Sequence, residues 1–165
     1  SDEKVKGLNG ILEAYHKSLE SISFSVPCNL EPTITNAAAK AIDLFARSKV
    51  YTILLILTSG NISDVQKTKD AIVKASVAPL SIIIVGVGSD DFCLLEHLDA
   101  DVDPIVSSTG QKMERDIVQF VPFRKYKKLA ATSLEQEVLA EIPNQIHQYC
   151  ATHDYKLNLP KNDLF

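Results

Sequence analysis

Gly86-Val87-Gly88 carries the first two glycines of a dinucleotide-binding turn, a motif in which bare backbone approaches a pyrophosphate. Asp91 stands where the third glycine belongs, and Asp90 and Asp91 would repel the anion. The spacing therefore reads as a strand ending in a tight turn. No GxxxxGK[ST] phosphate loop occurs. Asp99, Asp101 and Asp103 alternate like the opening of a calcium loop. Pro104 occupies the position that needs glycine, and Gly110 the one that needs a bidentate glutamate. They read as solvated loop carboxylates. Ser59 lies in Thr58-Ser59-Gly60 and lacks the GxSxG frame of a nucleophile elbow. His16, His97, His147 and His153 have no neighbouring partner in sequence and read as surface histidines. Arg124, Lys125, Lys127 and Lys128 form a basic patch suited to an acidic lipid or protein surface, with a solvated turn as the plainer reading. None of these sets makes a catalytic constellation. The expectation is no catalytic residue, no metal-ligand set and no cofactor.

The elements that must position these residues follow from hydrophobic period. Val5, Leu8, Leu12, Tyr15, Leu19 and Ile22 recur at helical spacing over residues 5–22, interrupted by Gly7 and Gly10. Ile22, Phe24 and Val26 alternate, which predicts a short strand over Ser21 to Val26, and Pro27 and Pro32 bracket a loop. Ala38, Ala41, Ile42 and Phe45 predict a helix over Thr33 to Ser48. Tyr51 to Thr58, Ser81 to Val87 and Ile117 to Phe123 are short apolar runs. They read as parallel strands buried on both faces. Ser63 and Gln66 form a capping-box pattern for a helix from Asp64 to about Ala75. A shorter helix is expected over Phe92 to Leu98. Ser133 and Gln136 open a last one, with Leu134, Val138, Ile142, Ile146 and Tyr149 on one face and Pro143 expected to kink it or loosen one hydrogen bond. The alternation predicts an α/β fold, doubly wound, with a mainly parallel sheet and helices on both faces. Ligands in such folds sit at the strand carboxyl ends.

Composition sets the outer bounds. The chain has 165 residues, 45 % hydrophobic and 23 % charged, which is one domain's worth of ordinary globular sequence. A net charge of −4 argues against a nucleic-acid binder. No apolar run approaches the roughly 18 residues of a membrane span, and Ser1-Asp2-Glu3-Lys4 does not open a secretion signal. Cys28, Cys93 and Cys150 are distant and odd in number, which predicts free thiols and a reducing, cytoplasmic setting. Cys28, in a loop near a helix start, is expected to react fastest, with Cys93 and Cys150 partly packed on helices.

Longer strings carry a resemblance. Gly10-Ile11-Leu12-Glu13-Ala14-Tyr15-His16, Ser81 to Gly88, Arg115 to Arg124 and Val138-Leu139-Ala140-Glu141-Ile142-Pro143 are similar to signatures of the copine family. They resemble its von Willebrand factor A-type domain, and the similarity runs over nearly the whole chain. The resemblance implies a Rossmann-like sheet whose top carries a metal-ion-dependent adhesion site built from three loops. A hard cation there is held by oxygen ligands. This sequence departs from the pattern at all three. No D-x-[ST]-x-[ST] occurs, Cys28 in Val26-Pro27-Cys28-Asn29-Leu30 replaces a threonine, and Ser59 in Leu57-Thr58-Ser59-Gly60 replaces an aspartate. Against the family pattern the first strands and the preceding lipid-binding modules are expected to be missing.

These readings predict a single A-type domain over 1–165 acting as a non-enzymatic, metal-independent protein-interaction module. Its surface would be Cys28, Asn29, Ser59, Asn61, Asp90 and Asp91 at the strand carboxyl ends. The alternative is a membrane-recruited calcium-signalling fragment whose lipid binding comes from other domains or chains. A homodimer through Ile53 to Leu57 is expected, because the absent first strand would leave that edge bare unless the N-terminal helix or Ser21 to Val26 covers it.

Overall fold

The short runs rich in Ile, Leu and Val form the strands, and the amphipathic segments between them form the covering helices. The computed structural model describes residues 4–23, 27–99 and 103–155. In chain order these give α1 (Gly7–Leu19), α2 (Glu31–Ser48), β1 (Thr52–Thr58), α3 (Val65–Ala75), β2 (Leu80–Gly86), α4 (Cys93–Glu96), β3 (Val118–Pro122), α5 (Ala131–Leu139) and α6 (Ile142–Thr152). A 3-10 turn, Phe123–Lys125, follows β3. The strands make one three-stranded parallel sheet in the order β1-β2-β3. Register sets Leu55 beside Ile83 and Ile83 beside Gln119. Helices cover both faces. α2, α3 and α4 bury Ile34, Ile72 and Leu95 against Ile56, Ile82, Ile84 and Val118. On the opposite face, Ile142 of α6 packs with Ile83 and Val85, joined by Val138 of α5. The α/β class and its parallel, doubly covered sheet are as the alternation of elements predicts.

Four local expectations need correction. First, β2 and β3 are buried on both faces, but β1 is not. Ile53, Leu55 and Leu57 are exposed, because α5 and α6 reach β2 and β3 on that face and stop short of β1. Second, Pro32 does not close a loop. It sits at the start of α2, where its missing N–H costs nothing and its fixed φ suits the helix. Third, the last helix is two. Pro143 stands at the start of α6, so the backbone breaks at residues 140–141 instead of kinking, and α5 begins two residues ahead of Ser133. Fourth, α1 buries none of its residues, so its apolar stripe stays largely exposed among the described residues. Residues 21–23 form no strand; residues 24–26 of that expected strand lie outside the described residues, as does Asp101.

Candidate functional site at the strand carboxyl ends

Three loops meet where β1 and β2 end. The first, residues 27–30, leads into α2. Its Cys28 pairs with Ile62 as an isolated parallel bridge. The Cys28 N–H donates to the Asn61 carbonyl at 3.0 Å, and the Ser63 N–H donates to the Cys28 carbonyl at 3.2 Å. The loop after β1 is thus an extra strand-like rung for the loop before α2. Asp64 tightens the same joint. Its carboxylate accepts from the Leu30 N–H (3.3 Å) and the Glu31 N–H (3.0 Å), the first free donors of α2. An anionic acceptor there also meets the positive end of the α2 dipole. The expected capping box placed Asp64 at the head of α3. Its backbone does start that helix, while its side chain caps a different one.

The loop after β2 is locked by an aromatic ring. Phe92 is fully buried and lies against two glycines. A Cβ on Gly60 would sit 2.7 Å from its ring, and one on Gly86 2.9 Å from it. Gly60 also holds φ +105°, a conformation that side chains resist. Gly86 therefore makes room for Phe92, and Gly88, at φ +119°, makes the turn. Packing and turn geometry thus account for both glycines. Arg124 closes the ring from outside. Its guanidinium lies 4.9 Å from the Phe92 centroid and donates to the Asp90 carbonyl at 2.8 Å. Arg124 is thus a tie between the β2 and β3 loops, and Lys125, Lys127 and Lys128 remain as exposed cations beside it.

The six residues singled out from sequence all lie on this rim, and all are exposed. Cys28, Asn29, Ser59 and Asn61 belong to the two loops that the Cys28–Ile62 bridge joins. Asp90 and Asp91 belong to the β2 loop, brought alongside by Gly60, whose would-be Cβ lies 3.4 Å from the Asp91 carbonyl. The Asp91 carboxylate is engaged, accepting the Cys93 N–H at 2.9 Å. No hydrogen bond joins Ser59 to a histidine or carboxylate among the described residues. Cys93 is exposed, against the expectation that it would be packed, and Cys150 is buried.

Elsewhere, three half-buried carboxylates gather along the open edge of β3. Oxygens of Asp99, Asp116 and Glu141 lie within 4.8 Å of one another. They serve the backbone and neighbouring amides. Asp116 accepts the Val118 N–H at 3.1 Å, Asp99 accepts the Phe120 N–H at 2.9 Å, and Glu141 accepts from Gln145 at 3.0 Å. Gln119, with its amide nitrogen turned to Glu141, donates there as well. Asp99 is therefore not a solvated loop carboxylate. It occupies an N–H of an edge strand, and sequence gave no sign of this because the two residues are 21 apart. Asp99 and Gln119 also line a cleft of about 360 Å³ with Glu96, Lys125, Tyr126 and Glu137.

The copine family model matches residues 1–158, nearly the whole chain. The chain belongs to the copine family. The resemblance to an A-type domain implies a hard divalent cation at this rim. Cys28, Asn29, Asn61 and Ser59 offer a thiol, two amides and a hydroxyl, and the rim's carboxylates are those of Asp90 and Asp91 on the β2 loop, of which Asp91 already accepts the Cys93 N–H. The acids next in sequence are engaged as well: Glu31 accepts the Thr35 hydroxyl, and Asp64 accepts two N–H groups. A hard divalent ion needs anionic oxygens, and a thiol suits softer metals. Among the described residues no three carboxylate, imidazole or thiol groups converge at the rim, so the donor set does not fit. No described helix is long and apolar enough to cross a membrane.

Proposed function

We propose that this copine-family chain is a non-enzymatic protein-interaction module of the cytoplasm that engages a protein partner through the rim without a divalent cation. One observation carries the reading. The rim's backbone is fixed by the Cys28–Ile62 rungs and by Asp64 on α2, while its side chains Cys28, Asn29, Ser59 and Asn61 point polar, uncharged groups into solvent. A rigid loop set with free side chains recognises a partner at little ordering cost. The exposed Lys125, Lys127 and Lys128 support a second reading, recruitment to an anionic membrane in a larger assembly.

A photo-reactive maleimide on Cys28 of the purified Cys93→Ser chain tests both in cell extract. Interaction at the rim predicts protein adducts that persist in chelator and fall at least tenfold with Asn61→Arg. Adducts that need calcium or magnesium, or that ignore Asn61→Arg, overturn it. Binding of the chain alone to vesicles rich in phosphatidylserine would favour the second reading.

A further inference from the structure

Two apolar surfaces lack a partner among the described residues. On β1, Ile53, Leu55 and Leu57 are 46, 55 and 68 % exposed, and the outer edge of the strand pairs with no other strand of the described residues. On α1, Leu8, Leu12, Tyr15 and Leu19 follow one another at spacings of four, three and four, a single stripe. Leu8 and Tyr15 are 71 and 57 % exposed, and α1 buries no residue. The two surfaces match in size as well as in character. A 13-residue helix spans about 20 Å, and a seven-residue strand about 23 Å. On this face of the sheet α5 and α6 pack on β3 and β2, and among the described residues β1 keeps its side chains exposed.

We propose that a second copy of this chain supplies the missing layer: α1 of one copy packs across Ile53, Leu55 and Leu57 of the other, reciprocally about a two-fold axis. Closed symmetry makes the exchange self-limiting. The area suffices. With Val5, Ile11 and Ile22 also exposed, each copy presents ten large apolar side chains. At roughly 100 Å² each they amount to about 1,000 Å² per copy, against the roughly 800 Å² per partner of a stable interface. Other pairings of two copies cover less. A helix-to-helix pair would leave the β1 face in water, and an edge-to-edge strand pair would leave both apolar surfaces there. Exchange covers both.

The test mixes two full-length variants of different tag size in a Cys28→Ser, Cys93→Ser background, one with Leu12→Cys and one with Leu55→Cys. A short bismaleimide then links them. Exchange predicts a mixed dimer in excess of either like pair, and light scattering at twice the chain mass. Leu55→Lys, at a position already exposed and so harmless to folding, should weaken the dimer at least tenfold. A monomer mass up to 100 μM overturns the proposal. So do crosslinks confined to Leu12→Cys pairs or to Leu55→Cys pairs. So does a chain carrying both cysteines that links within itself at monomer mass, which would mean α1 folds onto its own β1.

Discussion

Arg115 is the residue on which the lower half of the sheet converges. It is buried, and its guanidinium donates to the carbonyls of Ala78 and Leu80 (2.9 Å to Leu80), to the Gln145 carbonyl at 3.4 Å and to the Tyr51 hydroxyl at 3.2 Å. Its face lies 5.3 Å from the Tyr149 ring. A planar fork with five donors can span the α3–β2 turn, the strand start and α6 at once, and a lysine's point charge cannot. Arg115→Met would keep the volume and leave those carbonyls without a donor. At roughly 1–3 kcal/mol for each buried group left unsatisfied, partly relieved by relaxation, a loss of about 2–4 kcal/mol is expected in urea unfolding. A loss under about 0.5 kcal/mol would mean that water or backbone shifts replace the guanidinium. In sequence Arg115 stood out only as part of a family-like string. Its partners are 30 to 64 residues away, so no local pattern announces it.

Among the elements, the loops at the strand ends are shaped by what packs beneath them. Gly60 and Gly88 both hold positive φ, but a Cβ on Gly88 meets nothing within 4 Å, while one on Gly60 meets the buried Phe92 ring. The pair separates backbone strain from crowding. Gly88→Ala should cost about 1 kcal/mol for conformation alone. Gly60→Ala adds overpacking of about 1–3 kcal/mol and should displace the rim that carries Ser59 and Asn61. Equal melting shifts for the two variants would contradict this. The same scale explains the divided C-terminal helix. Its apolar face, with Val138, Ile142 and Ile146, is legible at helical period. The break is legible too, since proline lacks the N–H that a continuous helix needs. Which side of Pro143 yields depends on α6 burying Ile142 against Ile83 and Val85, a contact between distant segments.

At the scale of the whole molecule, α6 ties the C-terminal part of the chain to the sheet through groups that must stay neutral. Burial pushes the Tyr149 hydroxyl and the Cys150 thiol above their ordinary values of 10.0 and 9.0, with the positive Arg115 opposing in both cases. Both are acids that the fold holds protonated, so the unfolded chain loses its proton first as pH rises. Their contribution is whole below about pH 9 and declines as pH rises through the folded values. Stability from chemical denaturation should therefore fall as pH rises above about 9, and Cys150→Ala together with Tyr149→Phe should flatten the fall. An unchanged slope in the double variant would place the alkaline sensitivity elsewhere. Thiol reactivity gives an independent reading of the same anchor. Cys28 and Cys93 are exposed and should label within the dead time of global opening, and Cys150 only as fast as the fold opens.

Sequence by itself determined the elements and their layering. Apolar runs such as Ile82-Ile83-Ile84-Val85 cannot be solvated on either face, so a central parallel strand between helix layers follows from composition and length. It also placed Cys28, Asn29, Ser59, Asn61, Asp90 and Asp91 together, because the strand ends of a parallel sheet share one side. Tertiary structure decided what each polar group is committed to. Asp64 caps α2 instead of its own helix, Asp99 holds a β3 edge N–H, and Arg124 bridges two loops over Phe92. It also decided what stays uncovered. Ile53, Leu55 and Leu57 have the same apolar character as their neighbours in β2, and only the reach of α5 and α6 leaves them in solvent. Side-chain period records which faces want burial; whether a layer arrives to bury them is a matter of where the helices end, and that is set by contacts far apart in the chain.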